Sequence, residues 1–276
     1  MPSPLECSFV HIPGIGPKTE AQLWRKAAST WREFLAAAES LPLGPKRTGL
    51  VAAGVMQSQL ALDAGDARYF TDALSASQTW RAYPDFASDI CYLDIETTGM
   101  YFHGSRITFV GVYDGARVET FIAGRNLDDL PAALERFRLV VTFNGATFDL
   151  PFLRAKFGRG LLSRAGHIDL RYVLGGLGLK GGLKAIEKRL GMERPSEVAD
   201  LNGWDAVRLW YEYEAGSRES LRLLAEYNVE DILNLEPLLR YSINKYIERL
   251  RMPADGVVEG LSVDAAAAIA EVLGSL

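Results

Sequence analysis

The chain is poor in cysteine and lacks any long apolar run. Its two cysteines, Cys7 and Cys91, form neither a CxxC pair nor a disulfide framework, which excludes a small disulfide-stabilised secreted scaffold. No apolar run has the length of a membrane span, and the N-terminus lacks the basic-then-apolar layout of a signal peptide. We therefore expect a cytoplasmic protein that makes no contact with a membrane.

The chain lacks the excess of positive charge that is expected of a protein that binds nucleic acid, since its net charge is −5. The first 50 residues carry six basic and four acidic residues, so the acidic excess lies in the rest of the chain. This distribution argues against a protein that coats DNA by electrostatic attraction alone, and it suits an enzyme whose acids hold cations. The three histidines, His11, His103 and His167, are scattered without the spacing of metal ligands.

Two carboxylates interrupt an otherwise apolar segment between Ile90 and Gly99. The first half of the segment is typical of a buried strand, yet it contains Asp94 and Glu96. Residues two apart on a strand point the same way, so both carboxylates emerge on one face. Neighbouring buried acids repel each other and lose hydration, a cost that is tolerated mainly where a cation lies between them. The segment predicts a metal site, with a surface pair of acids as the alternative.

The segments after this strand predict a mixed sheet. Residues 106–113 and 117–122 are strand-like and are joined by the turn Asp114-Gly115, which together with the acidic strand gives an antiparallel meander. Residues 127–137 form an amphipathic helical pattern, and residues 139–143 are typical of a buried parallel strand. This order of three antiparallel strands, a helix and a further strand resembles the opening of a ribonuclease-H-like fold.

Two further acids occupy positions with a chemical meaning. Asp149 follows the strand that ends in Asn144 and stands where a helix begins; alone it is best explained as a favourable partner of the helix dipole. Tyr227 and Asp231 are four residues apart in a helical segment, so they share a face that otherwise looks toward the core. An acid that faces the core is costly unless it is paired or coordinated.

These three segments together resemble the DEDD family of 3′→5′ exonucleases. The family has Asp-x-Glu on its first strand, Asn-x(4)-Asp at a strand-to-helix junction and Tyr-x(3)-Asp late in a helix, and the tyrosine is the mark of the DEDDy branch. His167-Ile168-Asp169-Leu170 and the segment Gly182 to Glu187 are similar to the YprB-type ribonuclease-H-like subfamily. The resemblance covers residues 88–242.

The resemblance implies the roles of five residues. Asp94, Glu96, Asp149 and Asp231 would be the metal ligands, with Asp94 bridging two ions, and Tyr227 would orient the attacking water. An all-carboxylate site suits two hard divalent ions, Mg²⁺ or Mn²⁺, and does not suit Zn²⁺.

Four more residues are candidates for contacts with the substrate or with a metal ligand. They are Asn144, Asp169, Tyr101 and Lys184. A turn explains Asn144 almost as well, and capping of the local backbone explains Asp169 equally well. Packing in the core or at a rim is the alternative for Tyr101 and its neighbour Phe102. Lys184 follows the Gly-rich segment 175–182, which lacks the strand-GxGxxG-helix order and therefore predicts no nucleotide cofactor.

Two glycines flank an isoleucine in the N-terminal segment Phe9 to Trp24. Gly14-Ile15-Gly16 stands between an apolar segment and an amphipathic helix that carries Lys18. Such a turn next to a helix N-terminus suits a phosphate. The segment resembles the helix-hairpin-helix motif, which implies that Gly14, Ile15, Gly16 and Lys18 bind the DNA backbone. A packing unit that binds no nucleic acid is the alternative.

A degenerate echo of this segment follows in the sequence. Leu43-Gly44-Pro45-Lys46 repeats the pattern of Ile15-Gly16-Pro17-Lys18, but Pro42 stands where the first glycine of the motif should be. A second copy of the motif therefore remains a hypothesis.

The predicted organisation has four parts. Residues 1–40 form the helix-hairpin-helix region, 41–87 a helical linker, 88–245 the ribonuclease-H-like exonuclease domain, and 246–276 a helical extension. The fold class is α/β, with a mixed sheet flanked by helices and a small all-α N-terminal region.

The predicted function is metal-dependent 3′→5′ exonuclease activity, on DNA rather than RNA because of the N-terminal motif. The alternatives are a ribonuclease that trims RNA 3′ ends and a nucleic-acid-binding protein on a non-catalytic scaffold. The presence of all four acids and Tyr227 speaks against the last of these.

Overall fold

The computed structural model describes residues 2–26, 28–38, 41, 43–101 and 104–276. Pro42, Phe102 and His103, which the sequence analysis considered, lie outside these ranges. The described part of the chain contains a five-stranded sheet. Its strands are β1 (Ile90–Thr97), β2 (Ile107–Tyr113), β3 (Val118–Ile122), β4 (Leu139–Thr142) and β5 (Gly166–Asp169).

The sheet has the strand order β3-β2-β1-β4-β5 and mixes both directions of pairing. Strands β1, β2 and β3 form an antiparallel meander, whereas β4 runs parallel to β1 and β5 runs parallel to β4. The predicted fold class, a ribonuclease-H-like mixed sheet flanked by helices, is confirmed. Strand β1 lies at the centre, and hydrophobic clusters cover it on both faces.

Alternate residues of β1 belong to different hydrophobic clusters. Tyr92 packs into the cluster on one face of the sheet, and Cys91 and Leu93 pack into the cluster on the other. This alternation places Asp94 and Glu96 on the same face as Tyr92, because they are two and four residues further along the strand. The two acids of β1 therefore face the larger cluster, which also contains the helices of the N- and C-terminal regions.

Helices cover both faces of the sheet and build the N-terminal region. In chain order the helices are α1 (Pro17–Arg25), α2 (Trp31–Ala37), α3 (Pro45–Asp63), α4 (Ala67–Ala73), α5 (Tyr83–Phe86), α6 (Leu130–Leu134), α7 (Asp149–Phe157), α8 (Leu170–Gly176), α9 (Leu183–Arg189), α10 (Ser196–Ala199), α11 (Gly203–Glu214), α12 (Arg218–Leu250) and α13 (Ala265–Ser275). Short 3₁₀ helices span Ala76–Ala82, Ala87–Asp89 and Leu127–Asp129.

Helix α12 is 33 residues long and packs across β1 and β2. It includes the predicted helical segment with Tyr227 and Asp231, and it continues past Pro237. The boundary predicted between residues 245 and 246 falls inside this helix, because its buried face continues through Ile243 and Tyr246. The C-terminal helix α13 then packs against α12 and β3.

The N-terminal region shares a core with the sheet. One hydrophobic cluster runs from Leu5 through Val55 and Trp80 to the residues of α12. A buried ion pair reinforces this packing, since Arg81 donates from Nη1 and Nη2 to the two carboxylate oxygens of Glu20 at 2.9 and 3.0 Å. The segment predicted as a helical linker is therefore a packed layer of helices.

The predicted helix-hairpin-helix motif is only partly present as secondary structure. Residues 4–13 form turns and not a first helix, whereas α1 begins at Pro17 directly after Gly16. Gly14 has a φ of 85°, which a residue with a Cβ adopts at a cost, and Ile15 is buried. Glu20 accepts hydrogen bonds from the backbone N–H groups of Phe9 and Val10. These bonds stabilise the turns that stand in place of a helix.

Candidate active site

Strand β1 and helix α12 bring three carboxylates together. Asp94 and Glu96 point from one face of β1, and Asp231 reaches the same place from α12, which crosses that face. One oxygen of each carboxylate lies within 4.8 Å of the others. Glu96 is 7% exposed and Asp231 is 8% exposed, so most of this acidic cluster is shielded from water.

The fourth predicted acid, Asp149, lies against the same strand but outside the group of three. It is the first residue of α7, the helix that follows β4, and it is 2% exposed. Its Oδ1 accepts a hydrogen bond of 3.2 Å from the backbone N–H of Ile95, the residue between the other two acids of β1. The sheet order explains this approach, because β4 is the parallel neighbour of β1.

Burial and mutual repulsion make the charged forms of these acids costly. Burial raises the pKa of Asp94 well above its usual range, and the carboxylates of Asp149, Glu96 and Asp231 raise it further. Burial, and then Asp231, raises the pKa of Glu96 in the same way. Burial raises the pKa of Asp149 to about 7. A cation among these groups would remove the cost, since it stabilises the ionised carboxylates.

The residues present fit a hard divalent ion. The donors are carboxylate oxygens, which Mg²⁺ and Mn²⁺ prefer, and no histidine or cysteine belongs to the described cluster. The acids of the cluster are largely buried and repel one another, and a cation between them would offset both costs.

Tyr227 lies one helical turn before Asp231 and lines the same cavity. Its side chain is 8% exposed. Burial raises its pKa above the usual range, and the carboxylates of Asp231, Glu96 and Asp94 raise it further. The phenol is therefore protonated at neutral pH and is able to donate a hydrogen bond into the cavity.

Arg194, which the sequence analysis did not select, reaches into the acidic cluster. Its Nη1 lies 2.5 Å from Oδ1 of Asp231 in a buried ion pair. Its Nε and Nη2 donate to the two oxygens of Glu187, both at 2.6 Å. The Arg194 and Glu187 side chains are 4% and 2% exposed. Arg194 therefore supplies a buried guanidinium beside Asp231, and Glu187 holds it in place.

Asn228 is the second site residue that the sequence analysis missed. It follows Tyr227 directly, is fully buried, and donates from Nδ2 to Oδ2 of Asp94 at 2.9 Å. A glycine inside strand β2 was the available signal, because such a glycine often marks a close approach to another group. Gly111 is the β2 partner of Asp94 and lies against the Asn228 amide.

Asn144 and Asp169 together hold the turn that leads into α7. Asp169 accepts hydrogen bonds from the backbone N–H groups of Asn144, Ala146 and Arg171 at 2.8, 3.0 and 3.0 Å. Asn144 has a φ of 69°, and its Oδ1 accepts from Thr147 Oγ1 and Arg171 Nη1. Asp169 thus has the capping role that was the alternative to a site contact, whereas Asn144 also lines the cavity.

Lys184 lies beside the site but its ammonium group is already engaged. Its Nζ donates to the carbonyl oxygens of Val198 and Ala199 at 3.0 and 3.1 Å and also to that of Leu201. The same Nζ lies 4.8 Å from the ring centroid of Tyr227, in the geometry of a cation–π contact. The Lys184 side chain thus holds the segment after α10 against the ring of Tyr227.

The acids open into a cavity of about 220 Å³. An apolar rim surrounds its mouth, where Met100 is 59% exposed and Trp204 is 70% exposed. Tyr101 is 79% exposed and is absent from the lining, and its predicted companion Phe102 lies outside the described residues. The lining consists of Asp94, Ile95, Glu96, Thr97, Gly99, Met100, Asn144, Phe148, Gly203, Trp204, Val207, Tyr227 and Asp231.

The residues predicted to bind the DNA backbone form a separate surface. Gly14, Gly16 and Lys18 are exposed at the start of α1, while Ile15 is buried below them. Arg47 at the start of α3 donates to the carbonyl oxygen of Gly14 at 2.7 Å. The starts of α1 and α3, each with the sequence Gly-Pro-Lys, are thus neighbours.

The chain matches one family of known proteins. The family profile of the RNase H superfamily matches residues 91–243. Among curated proteins no match to the chain was found. None of the helices in the described ranges is long and apolar enough to cross a membrane.

Solved structures with a similar arrangement include two proteins. The family B DNA polymerase of Pyrobaculum calidifontis is 16% identical, with a TM-score of 0.42 over 58% of this chain and 24% of the polymerase. Brucella melitensis NrnC with bound Mg²⁺ is 20% identical, with a TM-score of 0.43 over 70% of this chain and 85% of NrnC. NrnC bound to pGG aligns over the same shares with a TM-score of 0.42. The chain thus spans about a quarter of the polymerase's length.

Proposed function

The chain belongs to the RNase H superfamily, and from the site that it carries we propose that it is a metal-dependent 3′→5′ exonuclease of the DEDDy type. The observation that carries this proposal is the meeting of Asp94, Glu96 and Asp231, with Asp149 against the same strand. These acids come from β1, α7 and α12, so their proximity is a product of the fold and not of neighbouring positions in the sequence.

Two divalent ions, Mg²⁺ or Mn²⁺, are the proposed cofactors. Asp94, Glu96, Asp149 and Asp231 would hold them, and their carboxylate oxygens suit hard ions. When bound, such ions activate a water and neutralise charge at the phosphorus and on the leaving oxygen.

The chain's own groups position the reaction. Tyr227 is proposed to donate its phenolic hydrogen bond to the attacking water, because its raised pKa keeps the proton on Oη and its ring lines the cavity. The ion pair with Arg194 is proposed to fix one oxygen of Asp231, which leaves the other available to a cation. The burial of Glu96, Asp231 and Tyr227 limits the access of bulk water to these groups and strengthens their interactions.

The shape of the cavity supports action at a strand end. Its volume of about 220 Å³ is below the range of roughly 300–1,000 Å³ that is typical of ligand sites, so it has no room for a base pair. The exposed Trp204 and Met100 at its mouth offer apolar surface to a base. A strand end with an unpaired 3′ nucleotide is thus the proposed substrate.

DNA is the proposed nucleic acid, because of the surface formed by the starts of α1 and α3. Lys18 and Lys46 are exposed there, next to backbone N–H groups at helix N-termini, which attract phosphates. An RNA 3′ end remains the second candidate, and the experiment below includes it.

The test uses the purified chain with Mg²⁺ or Mn²⁺ and 5′-labelled single-stranded DNA, duplex DNA and RNA. We expect a ladder of shortened single-stranded DNA products, blocked by a 3′-terminal phosphorothioate and abolished in Asp94→Asn. Circular single-stranded DNA is the control for internal cleavage. Cleavage of the circle would contradict the exonuclease assignment, preference for RNA would move the substrate to the second candidate, and no cleavage of any substrate would contradict the proposed function.

A further inference from the structure

The Asn228 amide is the one side-chain donor to the carboxylate of Asp94 within the described residues. Its Nδ2 lies 2.9 Å from Oδ2 of Asp94 and 3.4 Å from the Asp94 carbonyl oxygen. The side chain of Asn228 has no exposed surface. Helix α12 therefore contributes a fixed neutral donor to β1, in addition to Tyr227 and Asp231.

The other half of the amide has no hydrogen-bond partner. Oδ1 of Asn228 is buried and accepts no hydrogen bond within the described residues. Where Asp94 is ionised, as the binding of a cation requires, turning Oδ1 toward the carboxylate would set two acceptors against each other, so the NH₂ group faces Asp94. Leaving a buried acceptor unsatisfied costs about 1–3 kcal/mol. The amide is thus held with its NH₂ group toward Asp94 although its carbonyl oxygen remains unsatisfied.

Strand β2 has a gap into which Oδ1 fits. Gly111 pairs with Asp94 across the antiparallel ladder. A Cβ at Gly111 would lie 2.1 Å from Oδ1 of Asn228 and 3.0 Å from Cδ1 of Ile232. Any larger residue at position 111 would therefore push the amide away from its position.

We infer that Asn228 is a positioning residue which fixes Oδ2 of Asp94 so that the other oxygen, Oδ1, faces the acidic cluster and a cation, and that Gly111 is required to admit its amide. This inference rests on the proposed metal-dependent function. Asparagine suits the role because it donates a hydrogen bond without adding a charge to four neighbouring acids. An aspartate would add to their repulsion, and a lysine would compete with the cation.

A purely structural role for Asn228 makes a different prediction. Asn228 then only fills space between α12 and the sheet, and its replacement would change stability but not the affinity for a metal ion. Leucine has nearly the same branched shape as asparagine and cannot donate a hydrogen bond, so Asn228→Leu preserves the packing and removes the contact with Asp94. The change separates the two roles.

The experiment measures Mn²⁺ binding to the full chain by calorimetry, together with the melting temperature. The variants are Asn228→Leu, Asn228→Ala, Gly111→Ala and the double change Gly111→Ala/Asn228→Ala. Ser242→Ala is the matched control, because Ser242 is a fully buried polar residue of the same helix whose Oγ donates to the Leu238 carbonyl.

We expect each single change at positions 228 and 111 to weaken Mn²⁺ binding about 10–100-fold, the usual effect of losing a partner of a metal ligand. The double change should bind no more weakly than Asn228→Ala, since the Gly111 effect acts through the same amide. The control should bind as the wild type does.

Two outcomes would overturn the inference. The first is wild-type affinity in Asn228→Leu or Asn228→Ala with a changed melting temperature, and the second is an additive double variant. Either leaves the proposed nuclease intact, whereas a wild-type chain that binds no Mn²⁺ would overturn the inference and the proposed metal dependence together.

Discussion

The guanidinium of Arg194 joins Asp231 to Glu187 inside the protein. Nη1 lies 2.5 Å from Oδ1 of Asp231, and the other two nitrogens donate to Glu187 at 2.6 Å each. Asn234 donates to the same glutamate from the next turn of α12. One acid of the cluster is therefore partly neutralised by the chain itself, and a buried network fixes its orientation.

Arg194→Ala should strongly destabilise the fold, because it leaves buried Glu187 without its counter-charge. Removing one partner of a buried ion pair costs about 3–5 kcal/mol in the free energy of unfolding, which urea denaturation would measure. Arg208→Ala is the matched control: Arg208 donates to Glu212 at 2.6 Å but its side chain is 54% exposed. Surface pairs contribute at most about 1 kcal/mol, so equal losses in the two variants would contradict the structural role of Arg194.

The acids could be found from the sequence because their spacing is local. Asp94 and Glu96 stand out by their separation of two in an apolar strand, and Tyr227 and Asp231 by a separation of four in a helix. Asp149 has a weaker signal, since an acid that begins a helix is common. Their meeting point depends on the strand order of the sheet and on the helix that crosses β1, which the structure supplies.

Arg194 and Asn228 could not be found in that way. Arg194 lies in the loop between α9 and α10, where no periodicity constrains a side chain, and its partner Glu187 is simply one acid of a helix. Asn228 is a buried polar residue in a helix whose other residues give the expected apolar face. Its contact with Asp94 arises only when α12 crosses β1 at the position where Gly111 leaves room.

Asp149 should make the metal-free protein less stable as pH rises from about 4 to 7, whereas His11 and His167, whose pKa values burial lowers from 6.5 to about 4, act in the opposite direction. Burial raises the pKa of Asp149 from its ordinary 3.8 to about 7. Between these values the unfolded chain loses a proton that the folded chain keeps, so the stabilisation present below pH 4 is lost as pH rises through 7. Melting temperatures in EDTA across this range would measure the slope.

Asp149→Asn is the control for this pH dependence. An amide cannot titrate, so the variant should show a shallower decline than the wild type, while its Mn²⁺ affinity should fall. Added Mn²⁺ should reverse the trend in the wild type, because a metal ion binds the ionised carboxylates. An identical slope in wild type and variant would show that another group causes the decline.

The surface at the starts of α1 and α3 should contribute to affinity and not to the chemical step. Lys18→Ala/Lys46→Ala should weaken duplex DNA binding and make the salt dependence of log K shallower by about 2, since each phosphate contact contributes about 0.9. Arg25→Ala is the matched control, because Arg25 is exposed in the last turn of α1. Fluorescence anisotropy at several salt concentrations would measure the affinity and its salt dependence. An unchanged slope would show that this region is a packing unit that does not bind DNA.

Trp204 should bind the base at the strand end. Its side chain is 70% exposed on the rim of the acidic cavity, at the start of α11, and stacking of a base on an aromatic ring contributes about 1–3 kcal/mol. Trp204→Ala should therefore raise KM for single-stranded DNA about fivefold or more, with a smaller effect on kcat. Tyr211→Ala is the matched control, because Tyr211 is 51% exposed on the same helix but does not line the cavity.

An oligonucleotide with an abasic 3′ end distinguishes stacking from other causes. It has no terminal base to stack, so wild type and Trp204→Ala should process it with similar KM values. A loss in the variant that persists on the abasic substrate would mean that Trp204 supports the fold of the cavity. In that case the terminal base would have to be held by other residues of the rim, of which Met100, exposed on the same cavity, is the next to be substituted.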